Sequence, residues 1–174
     1  TKMDMPLQTT CDSLIENYRS LAIGRWGSAE KLLLGASLYT ALDRDRYVDL
    51  ERIEKCESIL RRSTNAFSPF RRELEFPICC RMALAEDPIA YFDRLEEIFR
   101  ALSSTIASAV AYTILAAMIL AEQCEPHGYA SAAQNVDGAF RQMQSAHPWQ
   151  TAGLTDDTLR IYVLLSGIRN SFSS

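Results

Sequence analysis

The chain has 174 residues, of which 48% are hydrophobic and 23% are charged. This length is enough for one domain with a substantial core, and seven glycines and six prolines are too few for a linker or a disordered tail. The net charge of −4 and the pI of about 5.2 argue against nucleic acid or an anionic membrane as a partner. Composition therefore predicts one folded domain over residues 1–174 that does not bind nucleic acid.

The start of the chain shows capping and periodicity signals for two helices. Thr9 or Thr10 is a candidate cap for a first helix that ends near Ala22. Ser28 is the candidate cap of a second helix, which is apolar on nearly all sides from residue 32 to residue 42. Because such a helix has no polar face to turn toward water, we expect it to be central and not peripheral.

Two further helices are predicted before residue 86. Asp49 is a candidate cap for the third, whose apolar residues recur at helical spacing. Ser68 followed by Pro69 has the pattern of a cap and a first helical residue, and it predicts a fourth helix through residue 85. Pro77 falls inside that segment, so we expect a kink or a delayed start there.

The second half of the chain predicts four more helices. Asp87 and Pro88 repeat the cap signal for a fifth helix. Its buried stripe is predicted to be Ile89, Phe92, Leu95, Phe99 and Leu102. An uncharged run over residues 101–121 follows, then a seventh helix over about residues 130–145. Thr155 is the candidate cap of the eighth.

An internal repeat decides what the uncharged run is. At offsets of 80 to 83 residues, identical or similar residues recur in the same order, among them Asp12 and Asp93, Leu21 and Leu102, Ser28 and Ser108, Ala36 and Ala116, and Tyr47 and Tyr129. Ser108 stands where Ser28 caps the second helix. We therefore predict a loop over residues 103–107 and a helix of about 14 residues from Ala109, whereas a membrane span needs about 20 apolar residues.

The repeat completes the fold prediction. We predict an all-α protein of about eight helices, built from two pseudo-repeated four-helix units over roughly residues 9–86 and 87–170. The units are expected to pack as a helical bundle or a repeat-like array, with no membrane span. Tyr112, Leu115, Ala116 and Ile119 of the uncharged run are expected to be buried against protein.

Cysteine and histidine usage predicts a reduced compartment and no cofactor. The five cysteines, an odd number at irregular spacing, are interpreted as reduced core thiols of a cytoplasmic protein. The N-terminal residues lack the pattern of a secretory signal. His127 and His147 are the only imidazoles, and neither has a carboxylate or a cysteine at metal-ligand spacing.

The last third of the chain carries a family resemblance. Residues 143–167 contain a methionine, a histidine-proline-tryptophan sequence, a leucine-threonine pair, two aspartates and a leucine-rich segment. This order resembles an uncharacterised bacterial family, the domain of unknown function numbered 4003, and residues 31–39, 49–53 and 111–117 fit its run of helices. The resemblance implies no activity. Family members are longer, which implies that this chain is a fragment or a short relative, and residues 150–153 are an insertion relative to the family.

Two groups of residues are candidate sites. His147, Trp149 and Asp156 would form a small polar pocket with the histidine as acid or base; alternatively, Trp149 closes the end of the helix layer and the aspartates complement a helix dipole. The second group is a cluster with a local charge excess of +3, in which Arg61, Arg62, Arg71, Arg72 and Arg81 face Glu73 and Glu75. It would hold a phosphate or an acidic partner, or it is a solvated loop.

These observations favour a non-catalytic protein-interaction or regulatory module. The alternative is a small-ligand-binding or enzymatic helical protein with a pocket near His147, Trp149 and Asp156. Ligand binding by Arg61, Arg62, Arg71 and Arg72 is compatible with either hypothesis. We expect a protein partner, and the sequence leaves a homodimer open; it predicts neither catalytic residues nor a metal site.

Overall fold

The computed structural model describes residues 4–23, 27–42, 47–105, 110–123 and 145. All regular structure in these residues is helical, which confirms the predicted all-α class. The described α-helices, numbered α1 to α6 in chain order, are Asp4–Ile23, Ala29–Leu42, Leu50–Ser63, Glu75–Leu84, Pro88–Thr105 and Val110–Gln123, and a 3-10 helix spans Pro69–Arg71. The seventh and eighth predicted helices lie outside the described residues, so the total of about eight stays a prediction.

The predicted caps of α3 and α5 are confirmed. Asp49 Oδ1 accepts a hydrogen bond from the backbone N–H of Arg52 at 3.0 Å. Asp87 Oδ1 accepts from the N–H groups of Ile89 at 2.9 Å and Ala90 at 3.1 Å. These bonds satisfy N–H groups that the start of a helix leaves without an intrahelical acceptor.

The start of α1 differs from the prediction, whereas the start of α2 agrees with it. Both Thr9 and Thr10 lie inside α1, so neither is its cap. Pro6 is compatible with the longer helix because it lies in the first turn, where its missing N–H would have no intrahelical acceptor. Ser28 directly precedes α2, and its carbonyl accepts a hydrogen bond from the Leu32 N–H at 3.2 Å.

The segment before α4 shows how two prolines delay a helix. Ser68 Oγ accepts from the Phe70 N–H at 3.3 Å, but the turn that it caps is the 3-10 helix, not an α-helix. Helix α4 begins only at Glu75, so Pro77 lies in its first turn, where proline is tolerated. The delayed start predicted from Pro77 is confirmed.

Helix α4 is the centre of the first compact unit, which is the segment Thr1–Phe92. It packs against α2, α3 and the 3-10 helix, and α1 packs against α2. Seven of its ten residues are buried: Phe76, Pro77, Ile78, Cys79, Cys80, Met82 and Ala83. Facing residues from the other helices of the unit complete this core, including Leu21, Ala36, Tyr39, Ile53, Cys56 and Leu60.

Helix α2 is buried on one face only, which corrects the prediction that it is central. Its buried residues, Leu32, Gly35, Ala36, Tyr39 and Thr40, recur at helical spacing and form one stripe. Leu33 and Leu42, outside that stripe, are 49% and 43% exposed. The apolar composition of α2 therefore exceeds what its packing buries.

Close packing and a buried hydrogen bond fix α2 in the unit. A Cβ atom on Gly35 would lie 3.0 Å from Cys80 Sγ, 3.1 Å from Phe76 Cε1 and 3.2 Å from Leu21 Cδ1. On the side of α1, Asn17 Nδ2 donates to Thr40 Oγ1 at 3.0 Å inside the core. The missing side chain of Gly35 therefore lets α2 approach α1 and α4 closely.

The second compact unit begins at Asp93, inside α5. The predicted buried stripe of α5 is correct for Phe92, Leu95 and Leu102, and Phe99 is half-buried. It is wrong for Ile89, which is 53% exposed. Buried residues of α5 lie at positions 91, 95, 98 and 102. One helical turn before residue 91, the same face of the helix is occupied by Pro88, so Ile89 lies beside that face.

The uncharged run is divided between two helices. Residues 101–105 end α5, and residues 110–121 belong to α6, which has 14 residues as predicted. The predicted loop is wrong for Ser103, Ser104 and Thr105, which are the last residues of α5. In this last turn, Ser104 Oγ donates a hydrogen bond to the Ala101 carbonyl at 2.7 Å. None of the described helices is long and apolar enough to cross a membrane.

Burial within α6 follows the prediction in part. Ala116 is 7% exposed, and Leu115 and Ile119 are intermediate. The side chain of Tyr112 and the candidate cap Ser108 lie outside what the structure describes.

The pseudo-repeat stays a prediction. Helices α2 and α6 each have 14 residues, and the matched Leu21 and Leu102 are both buried, at 0% and 1% exposure. The segments that would correspond to α3 and α4 lie outside the described residues. The prediction of one domain with units over 9–86 and 87–170 is likewise left open.

Candidate functional site

Two of the predicted arginines, Arg61 and Arg72, line the same cleft in the Thr1–Phe92 unit. The cleft has a volume of about 240 Å³ and lies among the residues just before and in the first turn of α2, the second half of α3 and the start of α4. Five charged side chains line it, from Lys31, Glu57, Arg61, Arg72 and Glu75. We refer to this feature as the charged cleft.

Uncharged residues form the rest of the lining. Phe76 and Cys79, at 6% and 0% exposure, contribute the edge of the core. Gly27 lies before α2 with a φ of 91°, a conformation that side chains other than glycine rarely adopt. A Cβ atom there would be 3.7 Å from Lys31 Cδ, so backbone conformation and not lack of space requires the glycine.

Arg61 is held between two carboxylates. Its Nη2 atom forms an ion pair with Glu57 Oε1, one helical turn earlier on α3, and its Nε atom donates to Glu75 Oε1 on α4 at 3.0 Å. The hydrogen bond to Glu75 is the main reason that the pKa of Arg61 is raised. These contacts join α3 to α4 and engage the Nε and Nη2 atoms of the Arg61 guanidinium.

Lys31 and Arg72 are the cations of the charged cleft that remain accessible to a ligand. Lys31 is half-buried and Arg72 is exposed. Within the part of the chain that the structure describes, neither has an ion-pair partner. Arg61, Glu57 and Glu75 together carry a net charge of −1, so with Lys31 and Arg72 the charged lining as a whole carries a net charge of +1.

The structure separates the four predicted arginines into two pairs. Arg61 and Arg72 line the charged cleft, whereas Arg62 and Arg71 do not. Arg62 Nε instead donates to the Ser58 carbonyl of its own helix at 3.2 Å. Arg81, the fifth arginine of the cluster, lies over the Tyr91 ring at 4.5 Å from its centroid. Ligand binding by any of these arginines remains a prediction.

The other predicted site is not described. His147, Trp149 and Asp156 lie outside the described residues, so the pocket that they would form stays a prediction. Among the described residues, no group of three or more histidine, cysteine or acidic side chains could hold a metal ion.

The buried thiols of this unit are held protonated. Burial raises the pKa of the Cys56, Cys79 and Cys80 thiols, and nearby groups raise that of Cys79 further. Since the thiolate is the nucleophile, Cys79 contributes an apolar wall to the charged cleft and not a reactive group. Cys11, by contrast, is exposed on α1.

The sequence missed five lining residues of the charged cleft: Gly27, Lys31, Glu57, Phe76 and Cys79. The spacing of Glu57 and Arg61, one turn apart on a predicted helix, was a signal for their ion pair. No local signal exists for Lys31, because its position beside α3 and α4 depends on how α2 packs.

Comparison with known proteins gives one result. The model of a family described as "Protein of unknown function (DUF4003)" matches residues 17–173, nearly the whole chain. No curated protein and no solved structure matches.

Proposed function

Because the chain belongs to the DUF4003 family of proteins of unknown function, we propose its function from its own residues: it is a non-catalytic protein-interaction or regulatory module. The observation that carries the proposal is the charged cleft, in which Lys31 and Arg72 are accessible to a ligand and Arg61 is paired with Glu57 and Glu75. Such an arrangement binds a charged group of a partner and leaves it chemically unchanged.

The chemistry of the lining supports binding over catalysis. Catalysis needs a group whose protonation suits proton transfer or nucleophilic attack near neutral pH. Burial instead raises the pKa of the Cys79 thiol, and the hydrogen bond to Glu75 raises that of the Arg61 guanidinium. Both groups therefore stay protonated at neutral pH, as suits recognition.

The size of the charged cleft supports a protein partner over a cofactor. Pockets for drug-sized ligands have volumes of roughly 300–1,000 Å³. The charged cleft, at about 240 Å³, is smaller and suits a single side chain presented by another protein. The remaining contacts of a stable complex would come from the surrounding surface.

The test is capture of a partner by the intact chain. We expect a tagged chain, expressed and cross-linked in the cells that encode it, to retain a protein that also binds the purified chain in stoichiometric amount. Absence of any such protein would overturn the proposal. A small molecule whose stabilisation of the fold is lost in the double variant His147→Ala and Asp156→Ala would instead support the ligand-binding or enzymatic alternative.

A further inference from the structure

We infer that the charged cleft binds one carboxylate group of an acidic peptide segment, through ion pairs from Lys31 and Arg72. The inference rests on the proposed function and names the chemistry of the partner. It assigns Arg61 a positioning role, because Glu57 and Glu75 already hold its guanidinium.

Charge balance selects a carboxylate over a phosphate. Lys31, Arg61 and Arg72 oppose Glu57 and Glu75, so the lining carries a net charge of +1. One carboxylate neutralises this charge. A phosphate monoester, with about two negative charges at neutral pH, would leave an excess negative charge beside Glu57 and Glu75.

The donors also suit a carboxylate. Arg72 offers a planar fork that can bind both oxygens of a carboxylate, and Lys31 offers a compact charge with rotatable donors. In the described residues, neither cation must first give up an ion pair in order to bind. Recognition therefore requires no break in the contact between α3 and α4.

The shape of the charged cleft limits the ligand to one side chain. Phe76 and Cys79 close it on the side of the core, at 6% and 0% exposure. An aspartate or glutamate would place its methylene groups near this apolar wall and its oxygens toward Lys31 and Arg72. The rest of the segment would lie on the surface outside the cleft.

Fluorescence anisotropy with a labelled probe peptide tests the inference. The probe is a decapeptide with glutamate at alternate positions, compared with the same peptide carrying glutamine and with one carrying phosphoserine. We expect the intact chain to prefer the glutamate peptide to both others. Reversing both charges, with Lys31→Glu and Arg72→Glu, should weaken its binding by at least roughly tenfold.

A matched control separates the charged cleft from general electrostatics. Arg19→Glu with Lys55→Glu makes the same change in net charge at an exposed arginine and an exposed lysine outside the cleft, and it should change the affinity less than about twofold. Thermal melting verifies that each variant folds. If the reversal variant unfolds, the neutral variant Lys31→Gln with Arg72→Gln replaces it, with the same direction expected.

Several outcomes would overturn the inference. These are equal binding by the wild type and the folded cleft variant, equal affinity for the glutamate and glutamine peptides, and stronger binding of the phosphoserine peptide. A cellular partner that still binds the cleft variant would defeat the inference while the interaction function stands. Binding of the probe without any cellular partner would defeat the interaction function while the carboxylate chemistry stands.

Discussion

Helices α2 and α4 show that apolar composition and burial are different properties. Helix α2 is apolar on nearly all sides in sequence, yet Leu33 and Leu42 are 49% and 43% exposed. Helix α4 is shorter, contains Pro77 and an arginine, and has seven of its ten residues buried. The difference lies in their neighbours, because α4 packs against α2, α3 and the 3-10 helix, while α2 packs against α1 and α4. Burial is thus decided by the position of a helix among the others.

The largest expected effect compares these two helices directly. Ile78→Ala removes a side chain with 0% exposure from α4 and should lower the free energy of unfolding by about 3 kcal/mol. Leu33→Ala, on the exposed face of α2, should lower it by less than about 1 kcal/mol. Urea unfolding, with a constant m-value, measures both. Equal losses would mean that α2 is as central as its sequence indicates.

The next effect concerns how α3 holds the end of α4. Arg52 Nε donates to the Ala83 carbonyl and its Nη2 to the Ala85 carbonyl, both at 2.7 Å. Because these are charge-assisted bonds to partly buried carbonyls, Arg52→Met should cost about 2 kcal/mol of unfolding free energy. Arg52→Lys should lower the free energy of unfolding by about half as much, since lysine keeps the positive charge but lacks the planar guanidinium that donates to both carbonyls.

A matched control for Arg52 lies on the same helix. Arg62 Nε donates to the Ser58 carbonyl within α3, so Arg62→Met should change stability by less than about 0.5 kcal/mol. If chemical unfolding gave the same loss for both methionine variants, α4 would not depend on α3 for the position of its C-terminal end.

A smaller effect is expected where α2 and α4 touch. Gly35→Ala places a Cβ atom 3.0 Å from Cys80 Sγ and 3.1 Å from Phe76 Cε1. Overpacking by the new Cβ atom should lower the free energy of unfolding by about 2 kcal/mol, and the higher helix propensity of alanine should raise it by nearly 1 kcal/mol. We expect a net loss of about 1 kcal/mol in thermal or urea unfolding.

The contact itself can be isolated by a double-mutant cycle. Cys80→Ala removes the Sγ atom that the new Cβ would meet, so it should reduce the cost of Gly35→Ala. Additive effects of the two substitutions would show that the cost has another origin. Ser37→Ala, at a partly exposed position of the same helix, is the reference for a gain in helix propensity combined with loss of the hydrogen bond from Ser37 Oγ to the Leu33 carbonyl at 2.8 Å.

Several features that depend on nearby residues were predictable from the sequence, whereas the features that depend on packing were not. The caps at Asp49 and Asp87 and the delay at Pro77 follow from the conformations of a few neighbouring residues, and all three are confirmed. The central position of α4 depends on contacts between distant segments, for which one sequence gives no signal. The helix pattern therefore predicted the described α-helices and misjudged which of them is the centre.

The same distinction applies to the charged cleft. The arginine cluster was visible in sequence, and the spacing of Glu57 and Arg61 indicated their ion pair. The selection of Arg72 over Arg71, and the addition of Lys31 from α2, depend on how α2 and α3 pack on α4. Local charge thus predicted the region of the charged cleft but not which residues line it.

The smallest expected effect compares how α2 and α4 begin. Leu74 precedes α4 and provides no side-chain cap, whereas in the first turn of α2 the Glu30 carboxylate accepts a hydrogen bond from its own backbone N–H and a second from Ser28. These two bonds lower the pKa of Glu30, so the folded chain favours the carboxylate. The resulting stability is present above the ordinary carboxyl pKa of 4.5 and is lost as pH falls through the folded pKa. In an NMR titration, Ser28→Ala should raise the pKa of Glu30 only part of the way to its ordinary value, because the larger cause, the backbone hydrogen bond, remains. An unchanged pKa would mean that the Ser28 side chain does not hold the Glu30 carboxylate at the start of α2.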